Sequence, residues 1–293
     1  MNEQSTTSSS LGGIITAILT PVRADLSIDT ERLVAHARDL LAKGGSRVST
    51  FGSTGEGVAF SSPEKREAVE ALLAAGIRTD QLLPAIMTSS VGTAAQELAD
   101  LAELGCREVL VLPPFYYGSP SVAGLVSFYE ALFERAGRPN VRLVLYNIPA
   151  MSGVTITHDL IRALRAGKGA PIAGVKDSTG NIESGLAYVK AFPDLAIFTG
   201  DDRVLPHLLH AGGAGMIGGL PNLYVEDLVA LYSDPKGPNA HSLAALAAER
   251  IARIDSTGGL VALKSELASR ESDPDWVRCM PPLDGRFRAG AGR

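Results

Sequence analysis

Pro171-Ile172-Ala173-Gly174-Val175-Lys176-Asp177-Ser178-Thr179-Gly180 is the stretch on which the fold turns. Its run of small and apolar residues is too short for a helix. It reads as a strand buried on both faces and closed by a Ser-Thr-Gly turn. The strand ends in a lysine. An ammonium group in that position is costly to desolvate, so it escapes to solvent, finds a carboxylate, or gives up its proton. The third outcome makes a nucleophile. A free lysine with a pKa of ~10.4 is neutral about once in a few thousand at pH 7, whereas one depressed to roughly 7–8 is neutral much of the time and attacks carbonyls. On this stretch alone, a rim lysine paired with Asp177 explains the residues equally well.

A strand buried on both faces belongs to a parallel sheet covered by helices, so strand-helix units are expected to either side of it. A helix near Ile182–Ala191 follows it directly. Upstream, Val141–Tyr146 reads as a strand with a helix near His158–Ala166, Glu108–Leu112 as a strand with a helix near Ala123–Glu134, and Leu82–Met87 as a strand with a helix over Thr93–Leu104. Before these come Ser46–Phe51, with a helix opened by Ser61-Ser62-Pro63-Glu64, and Gly13–Pro21, with a helix over Glu31–Ala42 capped by Asp29 or Thr30. Downstream, Leu195–Phe198 precedes a helix near Val204–Ala211, and Ala214–Gly218 precedes one near Val225–Ser233. Eight units spaced by roughly 25–35 residues predict a closed (β/α)8 barrel over residues 13–234 rather than an open doubly wound sheet. Helical patterns at Ser242–Ile254 and Leu260–Ala268 predict a C-terminal appendage, residues 235–285, packed on the barrel. Residues 1–12 and 286–293 read as a disordered tail and a frayed end.

Composition bounds the function. With 293 residues, 45% of them hydrophobic, the chain can bury a full core. The net charge of −5, with no basic block, argues against nucleic acid as a partner. Cys106 and Cys279 stand far apart outside any Cys-x-x-Cys pattern, which suits a reducing cytoplasm and suggests neither a disulfide scaffold nor a structural zinc. The first residues lack the basic and apolar regions of a signal, and no apolar run approaches the ~18 residues of a membrane span.

In such barrels the reacting groups project from the C-terminal ends of the strands, and unusual polar residues gather at those ends here. The second strand runs into Gly52-Ser53-Thr54-Gly55-Glu56, where two glycines allow a tight turn, backbone N–H groups can face an anion, and Ser53 and Thr54 add hydroxyl donors; an ordinary Gly/Ser turn is the plainer account. The fourth runs into Pro113-Pro114-Phe115-Tyr116-Tyr117, an aromatic cluster at the mouth or a packing patch. The fifth ends in Tyr146-Asn147-Ile148-Pro149, placing at the rim a phenol that can move a proton or simply sit buried with its hydroxyl satisfied. The seventh ends in Gly200-Asp201-Asp202, whose acids shape the pocket or, the favoured account, cap the following helix. Because the fifth and sixth strands are neighbours, Tyr146 and Lys176 are expected side by side. Phenol beside amine is what a Schiff-base enzyme needs. The amine adds to a 2-oxo acid, the phenol moves protons as the carbinolamine loses water, and the iminium turns the adjacent carbon into an enamine nucleophile. Ser53 and the Thr54 N–H would hold the oxo acid's carboxylate.

Taken together, Gly52-Ser53-Thr54-Gly55-Glu56, Tyr146-Asn147-Ile148-Pro149 and Gly174-Val175-Lys176-Asp177 resemble the dihydrodipicolinate synthase / N-acetylneuraminate lyase family of pyruvate-dependent class I aldolases, in order and spacing from about Gly13 to Asn222. The resemblance implies Lys176 as Schiff-base former, Tyr146 as proton shuttle, and Ser53 and Thr54 as carboxylate binders and relay. It also implies that Tyr116 or Tyr117 is lent across a dimer interface within a homotetramer. Gly55, Met151, Gly200, Asp201 and Ile217 complete the expected substrate-binding set, and no cofactor or metal is implied beyond the covalent Schiff base with substrate. Members that make dihydrodipicolinate carry an arginine shortly after the Tyr-Asn-x-Pro motif, where this chain has Met151, so a second carboxylate would lose its bidentate partner. The segment looks more like the sialic-acid lyase side, yet Asp201-Asp202-Arg203 and Gly218-Gly219-Leu220-Pro221 stand where that side carries hydroxyl-bearing and acidic residues. The second substrate stays open.

Other patterns weigh less. Gly213-Ala214-Gly215-Met216-Ile217-Gly218 spells a dinucleotide fingerprint, but a helix precedes it and a strand runs through it, and the glycines that follow supply no cation for a phosphate. His207 and His210 lie well along a helix, where a surface or packing role is favoured over metal binding. The expectation is a cytoplasmic, homo-oligomeric lyase that makes or breaks a carbon–carbon bond, or dehydrates a sugar acid, with pyruvate or a related 2-oxo acid and an aldehyde as substrates. The alternatives are a true 4-hydroxy-tetrahydrodipicolinate synthase, a 2-keto-3-deoxy sugar-acid dehydratase, or a non-catalytic barrel that binds 2-oxo acids.

Overall fold

Eight short apolar strands pair in parallel in the computed structural model, which describes residues 11–169 and 171–284. They are β1 (Gly13–Ala17), β2 (Arg47–Ser49), β3 (Ala85–Ile86), β4 (Glu108–Val111), β5 (Arg142–Asn147), β6 (Ile172–Asp177), β7 (Ala196–Thr199) and β8 (Gly215–Gly218), hydrogen-bonded in the order β2-β1-β8-β7-β6-β5-β4-β3. The seam between the two ends of that order is bridged by the Leu83 N–H on the Val48 carbonyl and the Ala85 N–H on the Thr50 carbonyl, each at 2.9 Å. The result is a (β/α)8 barrel, as the sequence predicts. The expected tails at 1–10 and 286–293 lie outside the described residues. Leu11, assigned to the first tail from sequence, packs against the barrel interior.

Helices α1 (Thr30–Ala42), α2 (Ser62–Ala74), α3 (Val91–Glu103), α4 (Val122–Arg135), the single turn α5 (Pro149–Ser152), α6 (His158–Ala166), α7 (Ile182–Ala191), α8 (Leu205–His210) and α9 (Pro221–Ser233) surround the strands. Their starts follow the polar residues that announce them. Asp29 accepts the Arg32 N–H, and Ser61 and Glu64 form a reciprocal box at the head of α2, each such cap contributing about 1 kcal/mol. Helix α9 starts at Pro221, earlier than expected, because the chain kinks at Tyr224 (φ −140°, ψ 39°) and the regular helix resumes at the predicted Val225. Strand β1 ends at Ala17 rather than Pro21, because the Leu19 N–H turns to the Asn222 side chain at 3.0 Å.

The alternation of side chains divides the core. Val109, Val111, Leu143, Leu145, Val175 and Ile197 face the helices, while Leu110, Leu112, Val144, Tyr146, Phe198 and Ile217 fill the barrel. Helices α10 (Ala240–Ser256) and α11 (Leu260–Glu271) form the appendage. The Tyr224 ring of α9 joins them, with the Arg250 guanidinium 3.6 Å and that of Arg270 4.0 Å from its centroid, and its hydroxyl donating to Glu266 at 2.6 Å. Beyond α11, Trp276 packs edge-on against His36 of α1, and Arg32 of α1 binds Asp273 at 2.7 Å. Among the described residues no helix is long and apolar enough to cross a membrane.

Candidate active site

Parallel pairing sets Tyr146 of β5 opposite Lys176 of β6, and Lys176 opposite Phe198 of β7. Since side chains alternate along a strand, Lys176 shares the inward parity of Gly174, and Tyr146 that of Val144. The Lys176 side chain is 4% exposed, and its Nζ lies 4.1 Å from the centroid of the Tyr146 ring. The lysine is not paired with Asp177. That carboxylate accepts from Asn147 Nδ2 at 2.9 Å, the Thr179 N–H at 3.2 Å and the Thr179 hydroxyl at 3.1 Å, and among the described residues no acid lies within ion-pair distance of Lys176. A glycine is required next door. A Cβ at Gly200 would fall 2.0 Å from Ser178 Oγ and 3.3 Å from Lys176 Cε, so its absence leaves room for both side chains.

The Tyr146 hydroxyl lies 3.2 Å from Ser53 Oγ. Burial alone would raise its pKa, but the adjacent Lys176 charge and hydrogen bonds to Ser53, Lys176 and Ser178 outweigh burial and hold the phenol below its ordinary value. A proton on this phenol is therefore more easily released than one on a free tyrosine.

The loop after β2 brings Ser53 to that position through a strained path. Phe51 (φ 59°) and Glu56 (φ 55°) both take left-handed backbone, and the turn closes with the Gly57 N–H on the Gly52 carbonyl and the Thr20 hydroxyl on the Gly55 carbonyl. Such conformations cost of order 1 kcal/mol each and persist only where the surroundings over-determine them. Here a buried ion pair does so. The Glu56 carboxylate receives the Lys264 ammonium of α11 and, at 2.6 Å, the Met280 N–H, while Lys264 also donates to the Arg278 carbonyl at 2.7 Å. Replacing Lys264 by methionine leaves a carboxylate buried without its counterion. We expect Lys264→Met to lower unfolding free energy by about 3–5 kcal/mol in denaturant titration, with Glu56→Gln in the same chain recovering part of the loss. A change below about 1 kcal/mol would remove the pair from this role.

One cavity of about 740 Å³ opens above Lys176. Ser53, Thr54, Tyr146 and Lys176 line it, as do Met151, Gly200 and Ile217 of the expected set. Two expectations end elsewhere, Gly55 and Asp201. The Gly55 carbonyl is held by Thr20 and the residue does not line the cavity. Tyr116 and Tyr117, expected to serve a partner's site, stack edge to face outside this chain's cavity, each 79% exposed, while Phe115 lines it. Asp201 neither lines the cavity nor caps a helix. It turns back on the N–H (2.9 Å) and guanidinium of Arg203, because a turn intervenes before α8, whose first residues carry no side-chain cap. Asp202 is fully buried with neither carboxyl oxygen finding a hydrogen-bond partner among the described residues, and burial, then the Asp201 charge, push its pKa well above the ordinary value. His210 donates to the Pro206 carbonyl of its own helix at 2.6 Å, and among the described residues no group of three potential ligands is placed to hold a metal.

Three contributions escaped the sequence reading: the Glu56–Lys264 pair, Ser178 beside Tyr146, and the C-terminal segment that overhangs the mouth through Ile254, Leu260, Val261 and Leu263. Lys264 carried a faint signal, being a lone cation among Leu260, Leu263 and Leu267 on the buried side of a helix.

The profile of the Dihydrodipicolinate synthetase family matches residues 10–258. A relative from Chloroflexus aurantiacus described as an uncharacterized DapA-like lyase is 34% identical over 213 residues, 72% of this chain and 71% of its own. The crystal structure of dihydrodipicolinate synthase from Agrobacterium tumefaciens superposes with a TM-score of 0.85 at 30% identity, covering 93% of both chains. A variant of the Sulfolobus solfataricus 2-keto-3-deoxygluconate aldolase superposes with a TM-score of 0.83 at 25% identity, over 93% of this chain and 91% of that one. With its barrel, its C-terminal helices and the family profile running nearly end to end, the chain belongs to the dihydrodipicolinate synthetase family and is an enzyme of the class I aldolase and lyase type.

Proposed function

We propose that the protein makes or breaks a carbon–carbon bond next to the carbonyl of pyruvate or a related 2-oxo acid, through an imine on Lys176. The observation that carries this reading is the buried Lys176 Nζ, without an acidic partner among the described residues, 4.1 Å from the ring centre of a phenol whose hydroxyl meets Ser53. The amine adds to the ketone, and water leaves as the iminium forms, with Tyr146 moving the proton. Loss of a proton from the adjacent carbon gives the enamine, whose electron pair attacks an aldehyde carbon; the aldehyde oxygen takes up a proton, and water then hydrolyses the iminium and frees the amine. Cleavage runs the same steps backwards. The substrate's own iminium is the electron sink, so the chemistry calls for no cofactor.

Ser53 and the Thr54 N–H hold the 2-oxo carboxylate, and Thr54 links Tyr146 to solvent as a relay. Tyr116 or Tyr117, outside the cavity in one chain, reaches the site of a neighbouring protomer in a homotetramer. A cytoplasmic setting agrees with two buried free thiols, Cys106 and Cys279.

Incubation with pyruvate and borohydride, followed by digestion and mass measurement, tests the reading. The peptide containing Lys176 is expected to gain the mass of a reduced pyruvate adduct. Folded protein whose Lys176 peptide stays unmodified would refute it.

A further inference from the structure

The cavity is far larger than a three-carbon acid needs; about 740 Å³ lies in the range of pockets that enclose drug-sized ligands, roughly 300–1,000 Å³. Its polar groups gather at one end, around Lys176, Tyr146, Ser53, Thr54 and Ser178. The walls beyond are apolar apart from Asp255 and the backbone at Gly218, Gly219, Gly258 and Gly259. Met87, Leu112, Phe115, Ile148 and Ile217 form the barrel side, and Ile254, Leu260, Val261 and Leu263 come down from the C-terminal helices. Val58 and Met151, 64% and 72% exposed, continue the apolar surface to the rim.

Charge at the mouth points the same way. Among the described residues that line the cavity, Lys176 is the one cation and Asp255 the one acid. The nearby Arg203 is already engaged, its guanidinium 2.7 Å from Asp201 and 3.1 Å from Asp255. Among the described residues that line the cavity, an aldehyde carrying a carboxylate or phosphate would meet an acid and no cation other than Lys176. Beyond the Lys176 end, the one polar side chain among the described lining residues is Asp255, so most hydroxyls of a polyol aldehyde would go unpartnered by side chains, each such group lowering affinity by roughly a factor of 5–150.

We propose that the second substrate is an uncharged, largely apolar aldehyde, aromatic or branched aliphatic, and that Met151, Leu260 and Val261 determine this specificity. The proposal rests on the Schiff-base reading above. The C3 electron pair of the pyruvate enamine forms the new bond to the aldehyde carbon, the aldehyde oxygen becomes a hydroxyl, and hydrolysis of the iminium by one water releases a 4-hydroxy-2-oxo acid with an apolar substituent on C4.

The test uses the full chain and measures pyruvate consumption with benzaldehyde, with glyceraldehyde and with succinate semialdehyde, alongside borohydride trapping of pyruvate on the same preparation. Benzaldehyde is expected to give a kcat/KM about 10²-fold above either other aldehyde. Val261→Asp is expected to lower the benzaldehyde value at least tenfold, with pyruvate trapping run on the variant to separate loss of the aldehyde from loss of the imine. If pyruvate is trapped but glyceraldehyde or succinate semialdehyde is used as well as benzaldehyde, or benzaldehyde is not used, the specificity proposal falls while the imine reading stands. If pyruvate is not trapped, both fall.

Discussion

Lys176→Ala is expected to yield a folded protein whose turnover is lower by about 10⁵-fold or more, the advantage that a positioned nucleophile holds over one recruited from solution. The fold should survive for a structural reason. Asp177 draws its hydrogen bonds from Asn147 and Thr179, so removing the ammonium leaves no carboxylate stranded. The space vacated opens onto the 740 Å³ cavity, where water can enter, and the loss of stability should stay below the ~2–5 kcal/mol of a sealed large-to-alanine cavity. Thermal unfolding and steady-state pyruvate turnover on the same preparation check both halves. Activity above about 1% of the parent, or a borohydride adduct elsewhere in the variant, would move the imine to another residue.

The barrel was legible because strands buried on both faces read as unbroken apolar runs, and the hydroxyl-bearing residues and prolines between them open helices while the glycines end them. Ser53, Tyr146 and Lys176 were legible as interruptions: each places a polar group where an apolar run ends, and the neighbour relation of consecutive parallel strands set two of them side by side. What depended on distant chain was hidden. The end of β1 is decided by Asn222, 203 residues away, and the shape of the Ser53 loop by Lys264, 208 residues from Glu56. Asp201 misled because Asp-rich turns commonly cap helices, and only the backbone reveals that a further turn separates it from α8. The overhang of α10 and α11 could not be read either, since it is set by how these helices stack on Tyr224 of α9 rather than by any local pattern.

Tyr146→Phe should separate the phenol's chemistry from its packing. Phenylalanine keeps the ring that lies beside Lys176 and fills the barrel interior, and it removes only the hydroxyl that meets Ser53, Lys176 and Ser178. Loss of those hydrogen bonds costs stability about 1 kcal/mol each, so the protein should remain folded and bind the 2-oxo acid through Ser53 and Thr54. Turnover should fall by roughly 10²–10⁴, the contribution of a positioned acid-base group, and the fall should appear in kcat with KM for pyruvate changed little. In the parent, the protonated phenol is depleted as pH rises through a pKa below the ordinary ~10, because Lys176 and the surrounding hydroxyls favour the phenolate. The decline in activity from that titration should vanish in the phenylalanine variant. Ser53→Ala, which lowers kcat in the parent by loosening the phenol, should then lower kcat less in the Tyr146→Phe background, since that part of its effect runs through the Ser53–Tyr146 contact, whereas its effect on KM through the 2-oxo carboxylate should persist. If Tyr146→Phe kept its full kcat, or if the effects of the two substitutions on kcat multiplied as those of independent sites do, the proton would be moving through another group.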